Sequence, residues 1–301
     1  MTKSLQKTAP FLIIAAASLW GIIGLFSNGL SQAGFSAIDI TFIRNIITAF
    51  CLFLFLLFFR RESMRIQIRD IWMFFGTGIL SIVFFNIMYF ITIQLSTLSI
   101  AAVLLYTAPF FVMLLSAILF HEQLTRKKII ALGIAFLGCL FVTGLIDAFV
   151  TGKGLTKISG LGILTGIGSG LGYALYTIFG NIALKKYKPE TVTTYTFLIA
   201  AVSLAPFCVD TTFLQRIAQP SSLGNSMGIS IISTLLPFCL YTLGLKYTEP
   251  GRASIMAYAE PVVATVVSVL ILGQNISLTG IIGILLIFGS IVLLNLKRHS
   301  Q

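Results

Sequence analysis

Long unbroken apolar runs, separated by short polar stretches, fill the chain from end to end. A helix needs about 20 mostly apolar residues to cross the hydrocarbon core of a bilayer. Ten runs meet that length: 10–30, 37–59, 71–93, 99–120, 127–147, 160–180, 191–212, 226–245, 252–272 and 276–296. They are continuous rather than alternating and about twice as long as a barrel strand, so they predict helices. The intervals between them are too short to hold a soluble domain. The sixth run, LGILTGIGSGLGYALYTIFGN, is the least apolar, but its glycines Gly162, Gly166 and Gly170 recur every four residues. On a helix that spacing lines up a face suited to close backbone approach. The first run follows Lys3 and Lys7 in the manner of a signal peptide, yet no polar mature segment succeeds it, and a first span is the better reading.

Composition and charge sharpen this picture. The 301 residues are 57% hydrophobic and 10% charged, against about 25% charged in soluble domains. The net charge of +11 does not call for nucleic acid, because the basic residues fall between apolar runs, as they do beside an anionic cytoplasmic leaflet. With the N-terminus in the cytoplasm, sixteen Lys and Arg residues fall in inner segments, from Lys3 through Arg60, Arg126 and Lys185 to Lys297 and Arg298. Only Lys153, Lys157 and Arg216 fall in outer ones. A missed or added span would invert every later segment and destroy the bias. The expected fold is therefore an all-α membrane protein with ten transmembrane helices and both termini cytoplasmic. It would sit in the lipid bilayer of the cytoplasmic membrane as a multi-pass protein.

The chain also repeats itself. TLSIAAVLLYTAPFFVMLLSAILFHEQLT (97–125) aligns with TEPGRASIMAYAEPVVATVVSVLILGQNIS (248–277) once Pro109 is laid on Pro261. The same offset of 152 lays Tyr89 on Tyr241, Ser116 on Ser268, Glu122 on Gln274 and Thr125 on Ser277. Leu19-Trp20-Gly21 likewise resembles Gly172-Tyr173-Ala174. Each half holds five helices, an odd number, so the second half would enter the membrane from the opposite side. That predicts an inverted 5+5 repeat about an axis in the membrane plane, the arrangement by which many secondary transporters build a central site. The expected division is a first unit at 8–147, an extracytoplasmic connection at 148–159, a second unit at 160–296 and a basic cytoplasmic tail at 297–301. One chain carries both units, so a monomer suffices and a homodimer is open.

Polar residues inside the spans are the candidates for function. Glu260, one of nine acidic residues, lies within MAYAEPVVATVV. A charge near the bilayer centre costs roughly 2.5–3.5 kcal/mol on insertion scales, so it should face the bundle interior or a wet cavity. Pro261 removes a backbone donor and releases the carbonyl of Ala257 for a ligand, a water or a neighbouring helix. The first-half equivalent of Glu260 is Ala108, so the carboxylate breaks the symmetry of the repeat. Arg44 lies in the second span with Thr41 and Thr48 on its face; Glu260, a helix carbonyl and an anionic substrate are its open partners. Asn86, Tyr89, Tyr106, Tyr241 and Tyr258 complete the candidates for substrate binding or coupling, with Pro109, Pro237 and Pro261 as helix kinks at a cavity. Tyrosines in such places serve equally well as hydrogen-bonding glue between helices.

Soluble chemistry is missing. Cys51, Cys139, Cys208 and Cys239 are widely spaced in apolar runs, and His121 and His299 lie in charged segments. Neither set has metal-ligand spacing. GSGLG at 168–172 falls inside a membrane helix and follows no strand, and there is no Walker loop. One carboxylate without a partner acid is a poor catalytic outfit. An enzyme is not expected, nor a cofactor.

LWG near the start, FIRN in the second span, and the motifs TAPFFVMLLSAILFHEQLT and AEPVVATVVSVLILGQNIS resemble the EamA-type members of the drug/metabolite transporter superfamily over essentially the whole chain. The resemblance implies a secondary carrier of two EamA domains that moves amino acids, other metabolites or toxic compounds, often outward. It implies a central cavity lined chiefly by helices three, four, eight and nine, with the family's first-half arginine at Arg44 and its proline motifs at Pro109 and Pro261. The family's acidic residue after the fourth helix is Glu122, but Gln274 stands in the second copy. The expected function is alternating-access export of a small polar or amphipathic metabolite, such as an amino acid. Proton coupling through Glu260 and uncoupled movement are both compatible with it. A membrane sensor or partner subunit that binds without translocating, and a multidrug cation exporter, are the competing readings.

Overall fold

The computed structural model describes residues 2–152, 159–208, 211–271, 273 and 275–296; Lys153, Lys157, Gln274, Lys297 and Arg298 lie outside them. Among the described residues the apolar runs form α1 (Leu5–Gln32), α2 (Ala37–Phe59), α3 (Ile68–Leu95), α4 (Leu98–Phe120), α6 (Gly160–Leu184), α7 (Pro189–Cys208), α8 (Pro220–Leu245), α9 (Pro250–Leu270) and α10 (Leu278–Asn295). The fifth span departs from the expected single rod. Arg126–Val142 turns by 58° into Leu145–Thr151, and the pair together is α5. Gly144 sits at the turn with φ +70°, a left-handed conformation that glycine adopts without steric cost and a continuous helix cannot contain. The described residues thus hold nine helices long and apolar enough to cross a membrane, and up to ten with the bent α5.

Side-chain hydroxyls start several of these helices. Ser36 and Asp39 form a reciprocal capping box at the start of α2, which satisfies two otherwise orphaned donors. Thr125 caps α5 and Ser277 caps α10, each accepting from the N–H three residues on. These two are partners under the 152-residue offset. So are two π-helical stretches, Gly76–Val83 in α3 and Gly228–Leu235 in α8. Each begins at a glycine that lies flat under a phenylalanine: an added Cβ would meet Phe179 at 2.4 Å in the first and Phe26 at 2.3 Å in the second.

Helix pairing follows the same exchange. α1 packs on α8 and α9, while α6 packs on α3 and α4; α2 meets α7 and α8, while α7 meets α2 and α3. α5 pairs with α10, and α4 with α9. The long-range contacts thus have the form of an internal repeat whose halves embrace one another. The glycine face of α6 serves this packing: Gly162 lies against Leu95, Gly166 against Leu104, and Gly170 against Thr107. The least apolar span is also among the most enclosed, because its neighbours are protein rather than lipid. Phe50, Phe58 and Phe59 of α2 are exposed, as side chains that face acyl tails should be.

A close backbone approach joins α5 to α10. A Cβ at Gly283 would stand 2.6 Å from the carbonyl oxygen of Gly138, and one at Gly138 would stand 2.8 Å from that of Gly283. Backbone cannot swing aside, so Gly283→Ala is expected to cost about 1–3 kcal/mol by overpacking. Gly289→Ala on the same helix meets nothing within 4 Å and is expected to be neutral or to gain up to about 1 kcal/mol of helix propensity. Thermal midpoints of the two proteins in one detergent would separate them; equal midpoints would show that the approach is not tight.

Ion pairs tie the halves together at the end of the bundle where the basic loops gather. Lys128 lies 2.8 Å from Glu122 and 2.7 Å from Glu249, and Glu122 also accepts the N–H of Gly251 at 3.1 Å. Lys188 pairs with Glu62 at 2.5 Å, and Asp70 takes both Lys186 and the Tyr187 hydroxyl. At the opposite end, Arg216 donates to the Gly34 carbonyl and lies 4.9 Å from the centre of the Phe35 ring.

Candidate functional site

Two broken helices meet in the middle of the molecule. α4 is interrupted after Leu105 and resumes at Ala108; α9 is interrupted after Met256 and resumes at Ala259. Tyr106 and Tyr258 occupy equivalent places at the two breaks. The Tyr258 hydroxyl donates to the Tyr106 carbonyl at 2.7 Å, and the rings stand 6.1 Å apart. Pro109 is the second residue of its resumed helix, where a backbone N–H is not needed. The Ala257 carbonyl, expected to be released by Pro261, is instead taken by the N–H of Glu260 at 3.0 Å. The tight turn this makes satisfies the carbonyl within its own chain. It also sets Glu260 in the first turn of the resumed helix, where the helix dipole favours a negative charge.

A cavity opens beside these breaks. Glu260 and Tyr258 of α9, Tyr106 and Pro109 of α4, Tyr241 of α8, and Tyr173 and Thr177 of α6 are among the residues that line it. Glu260 is half-buried and lines this space. The Tyr173 hydroxyl donates to its Oε2 at 3.3 Å. Glu260 is the one charged residue in the lining, and among the described residues no cation lies within 4.0 Å of it.

The other predicted residues are distributed around this centre. Arg44 is buried, but it stands outside the lining and donates from Nε to the Thr234 hydroxyl at 3.1 Å. It thus reaches the π stretch of α8, and it neither snorkels to the surface nor pairs with Glu260. Thr196, at the equivalent place in the second half, reaches instead to Thr77 in the π stretch of α3, at 2.6 Å. Asn86 is held by the Ile82 carbonyl at 2.7 Å and Thr41 at 3.5 Å. Tyr89 lies against Phe90 with ring centres 6.1 Å apart. Asn86, Tyr89, Pro237 and Pro261 are absent from the cavity wall; Pro237 begins the α-helical part of α8 after its π stretch.

Tyr173 and Thr177 were not among the predicted site residues. They come from α6, outside the helices that the family likeness points to. The signal available in the sequence was the match of Tyr173 to Trp20 across the repeat. Both rings border a second, smaller chamber with Ser81, Phe85, Tyr176 and Phe238. Tyr173, Thr177 and Tyr241 belong to both chambers, and Thr177 and Tyr241 share a hydrogen bond of 2.8 Å where they meet. Each chamber is narrow, with room for little more than water.

An enclosed cavity at the meeting of broken membrane helices, walled by rings around one carboxylate, is the architecture of a solute carrier. The profile of the EamA-like transporter family matches the chain twice, at residues 7–144 and 160–296. The chain therefore belongs to the EamA-like transporter family. It is a multi-pass protein of the cytoplasmic membrane and a secondary transporter of small molecules, not an enzyme. An uncharacterized transporter of Archaeoglobus fulgidus is 29% identical over 93% of this chain and 94% of its own length. The uncharacterized transporter YxxF of Bacillus subtilis is 25% identical, with 98% and 92% covered. The uncharacterized inner membrane transporter YicL of Salmonella typhimurium is 26% identical, with 96% and 95% covered. A crystal structure that is 18% identical superposes with a TM-score of 0.75 over 96% of both chains, which establishes the likeness of fold.

Proposed function

We propose that the protein moves a small polar or amphipathic metabolite out of the cell by alternating access, with Glu260 as the residue that binds substrate or couples its movement. The observation that carries this reading is a carboxylate that has no ion-pair partner among the described residues, lining a cavity where α4 and α9 break. Two units, residues 8–147 and 160–296, rock about that cavity. Their odd helix number sets them in opposite senses, with both termini and the basic loops in the cytoplasm. The reciprocal pairing of α1 with α8 and α6 with α3 supports the paired units, and the breaks at Tyr106 and Tyr258 supply the points at which they bend. A single chain completes the pathway.

Counterflow in proteoliposomes tests translocation. A preloaded unlabelled solute should drive transient accumulation of the same labelled solute above equilibrium. Saturable binding without such an overshoot would make the protein a receptor or partner subunit. Orientation has its own check. With the four native cysteines replaced, an impermeant thiol reagent applied to intact cells should label a cysteine at Gln32 and spare one at Lys188. Labelling of both from the same side would overturn the inverted arrangement.

A further inference from the structure

Hydroxyl groups form a ladder along one seam of the bundle, from Glu260 toward the end where the basic loops gather. Tyr173 on α6 donates to Glu260 at 3.3 Å. One turn further along α6, Thr177 bonds Tyr241 of α8 at 2.8 Å, and Tyr176 bonds Thr242 at 2.6 Å. Thr193 of α7 reaches Thr242 at 3.4 Å and the Pro189 carbonyl, in the first turn of that helix, at 2.9 Å. The second chamber adjoins this ladder, since Tyr173, Tyr176, Thr177 and Tyr241 all border it. Its wall also carries Ser81, which is fully buried and whose hydroxyl has no hydrogen-bond partner among the described residues. Glue between helices accounts for the paired hydroxyls but not for Ser81. An unpaired buried hydroxyl is costly, and a water with two or more polar partners removes the cost. The chamber has room for that much and no more.

We propose that a water bound at Ser81 completes the ladder into a proton path between Glu260 and the basic-loop end of the bundle. This rests on the reading of Glu260 as the residue that binds substrate or couples its movement. Hydroxyls and water both accept and donate hydrogen bonds, so each member of the path takes a proton on one side and gives its own on the other. The net change is one proton lost by solvent at the loop end and one gained by the Glu260 carboxylate, which becomes a neutral acid. The return transfer is the same sequence in reverse. The path leads one way. Toward the opposite end, α6 next offers Thr165, paired with Thr92 of α3 at 2.9 Å. Two turns separate it from Tyr173, and the hydroxyl between them, Ser169, is bonded to the Gly166 carbonyl of its own helix. Arg44 on α2, Tyr89 on α3, Tyr106 on α4, Cys139 on α5 and Tyr173 lie within electrostatic range of Glu260, and Tyr241 and Tyr258 share its cavity wall. A carboxyl ordinarily titrates well below phenols, thiols and guanidinium groups, so Glu260 is the member of this set that exchanges the proton.

Trp20 makes the arrival of the proton observable. Its ring lies 6.2 Å from that of Tyr173 and 5.3 Å from that of Tyr241, and the next residue, Gly21, packs against the Glu260 carbonyl. The chain has two tryptophans, and Trp72 borders neither chamber, so Trp72→Phe leaves Trp20 as the single reporter. In that protein, held in nanodiscs, a rapid acid jump should change Trp20 emission, and Glu260→Gln should abolish the change. Tyr176→Phe, which keeps the ring and removes the hydroxyl, should slow the change by about tenfold or more at full amplitude. Ser81→Val, which sets a methyl group in place of the water, should do the same. Thr165→Val removes an interhelical hydroxyl off the path and should leave the rate within twofold. Thr242→Val breaks the same rung as Tyr176→Phe from the other side, so whichever of the two folds decides the matter. Equal rates in all proteins, equal slowing in Thr165→Val, or no Glu260-dependent change overturns the proposal. Counterflow with unaltered jump rates would strike the path and leave the transport reading; slowed rates without counterflow would do the reverse.

Discussion

Glu260→Gln is expected to abolish substrate exchange while leaving the protein folded and at least as stable as the parent. The substitution keeps the shape and the hydrogen bond from Tyr173 but removes the one charge on the cavity wall. A carboxylate held in a membrane protein without an ion pair is a standing cost, since charges at the centre of a span cost roughly 2.5–3.5 kcal/mol on insertion scales. Natural proteins keep such groups where function needs them, and neutralising them commonly trades activity for stability. Counterflow and a thermal midpoint measured on the same preparation check both halves of the statement. Exchange within twofold of the parent would remove Glu260 from the site. If transport is coupled to protons through this residue, an imposed pH gradient should drive flux in the parent and have no effect in the variant. A response of equal size in both would place coupling elsewhere.

Lys128→Met is expected to destabilise the protein by about 3–5 kcal/mol, the usual consequence of removing one partner from a buried ion pair. Lys128 and Glu122 are 7% and 5% exposed, and without the lysine Glu122 keeps only the N–H of Gly251 to offset its burial. Glu249 is 56% exposed, so its share of the pairing is screened and Glu249→Gln should cost less than about 1 kcal/mol. The double variant Lys128→Met with Glu122→Gln should recover most of the loss, because the stranded charge is then gone. Unfolding midpoints of the parent, Lys128→Met, Glu122→Gln and the double variant in one detergent form the cycle. Additive losses in the double variant would show that the two residues do not act as a pair. The contact also joins the halves: Glu122 follows α4, whereas Gly251 opens the α9 segment that leads to Tyr258 and Glu260. An added Cβ at Gly251 would meet the Glu122 carboxylate at 2.6 Å, so glycine is what lets this loop close on the start of α9.

Much of the architecture could be read along the chain because it depends on local properties. Apolar length marks the spans, and the 152-residue offset carries into structure as matched caps at Thr125 and Ser277 and matched π stretches in α3 and α8. The bend in α5 was missed. An isolated glycine in an apolar run does not declare whether it packs, as Gly138 does, or turns left-handed, as Gly144 does. The site was legible in part. Glu260, Tyr106, Tyr241, Tyr258 and Pro109 do line one cavity. Thr177 escaped notice, and Tyr173 was noted as a span tyrosine but not as a site residue, because their place there depends on α6 lying against α3 and α4 of the other half.

The sequence by itself determined an all-helical chain too apolar for water, its spans, its repeat, and a carboxylate that had to face away from lipid. Those follow from hydropathy, helix length and the cost of buried charge, which neighbouring residues along one chain are enough to define. Only the tertiary structure decided the partners. Arg44 reaches Thr234 rather than Glu260, the Ala257 carbonyl is taken by the Glu260 N–H, and the buried Ser81 hydroxyl has no hydrogen-bond partner among the described residues. Which groups meet depends on the rotation and depth at which helices distant in sequence pack, and a run of apolar letters carries no record of either.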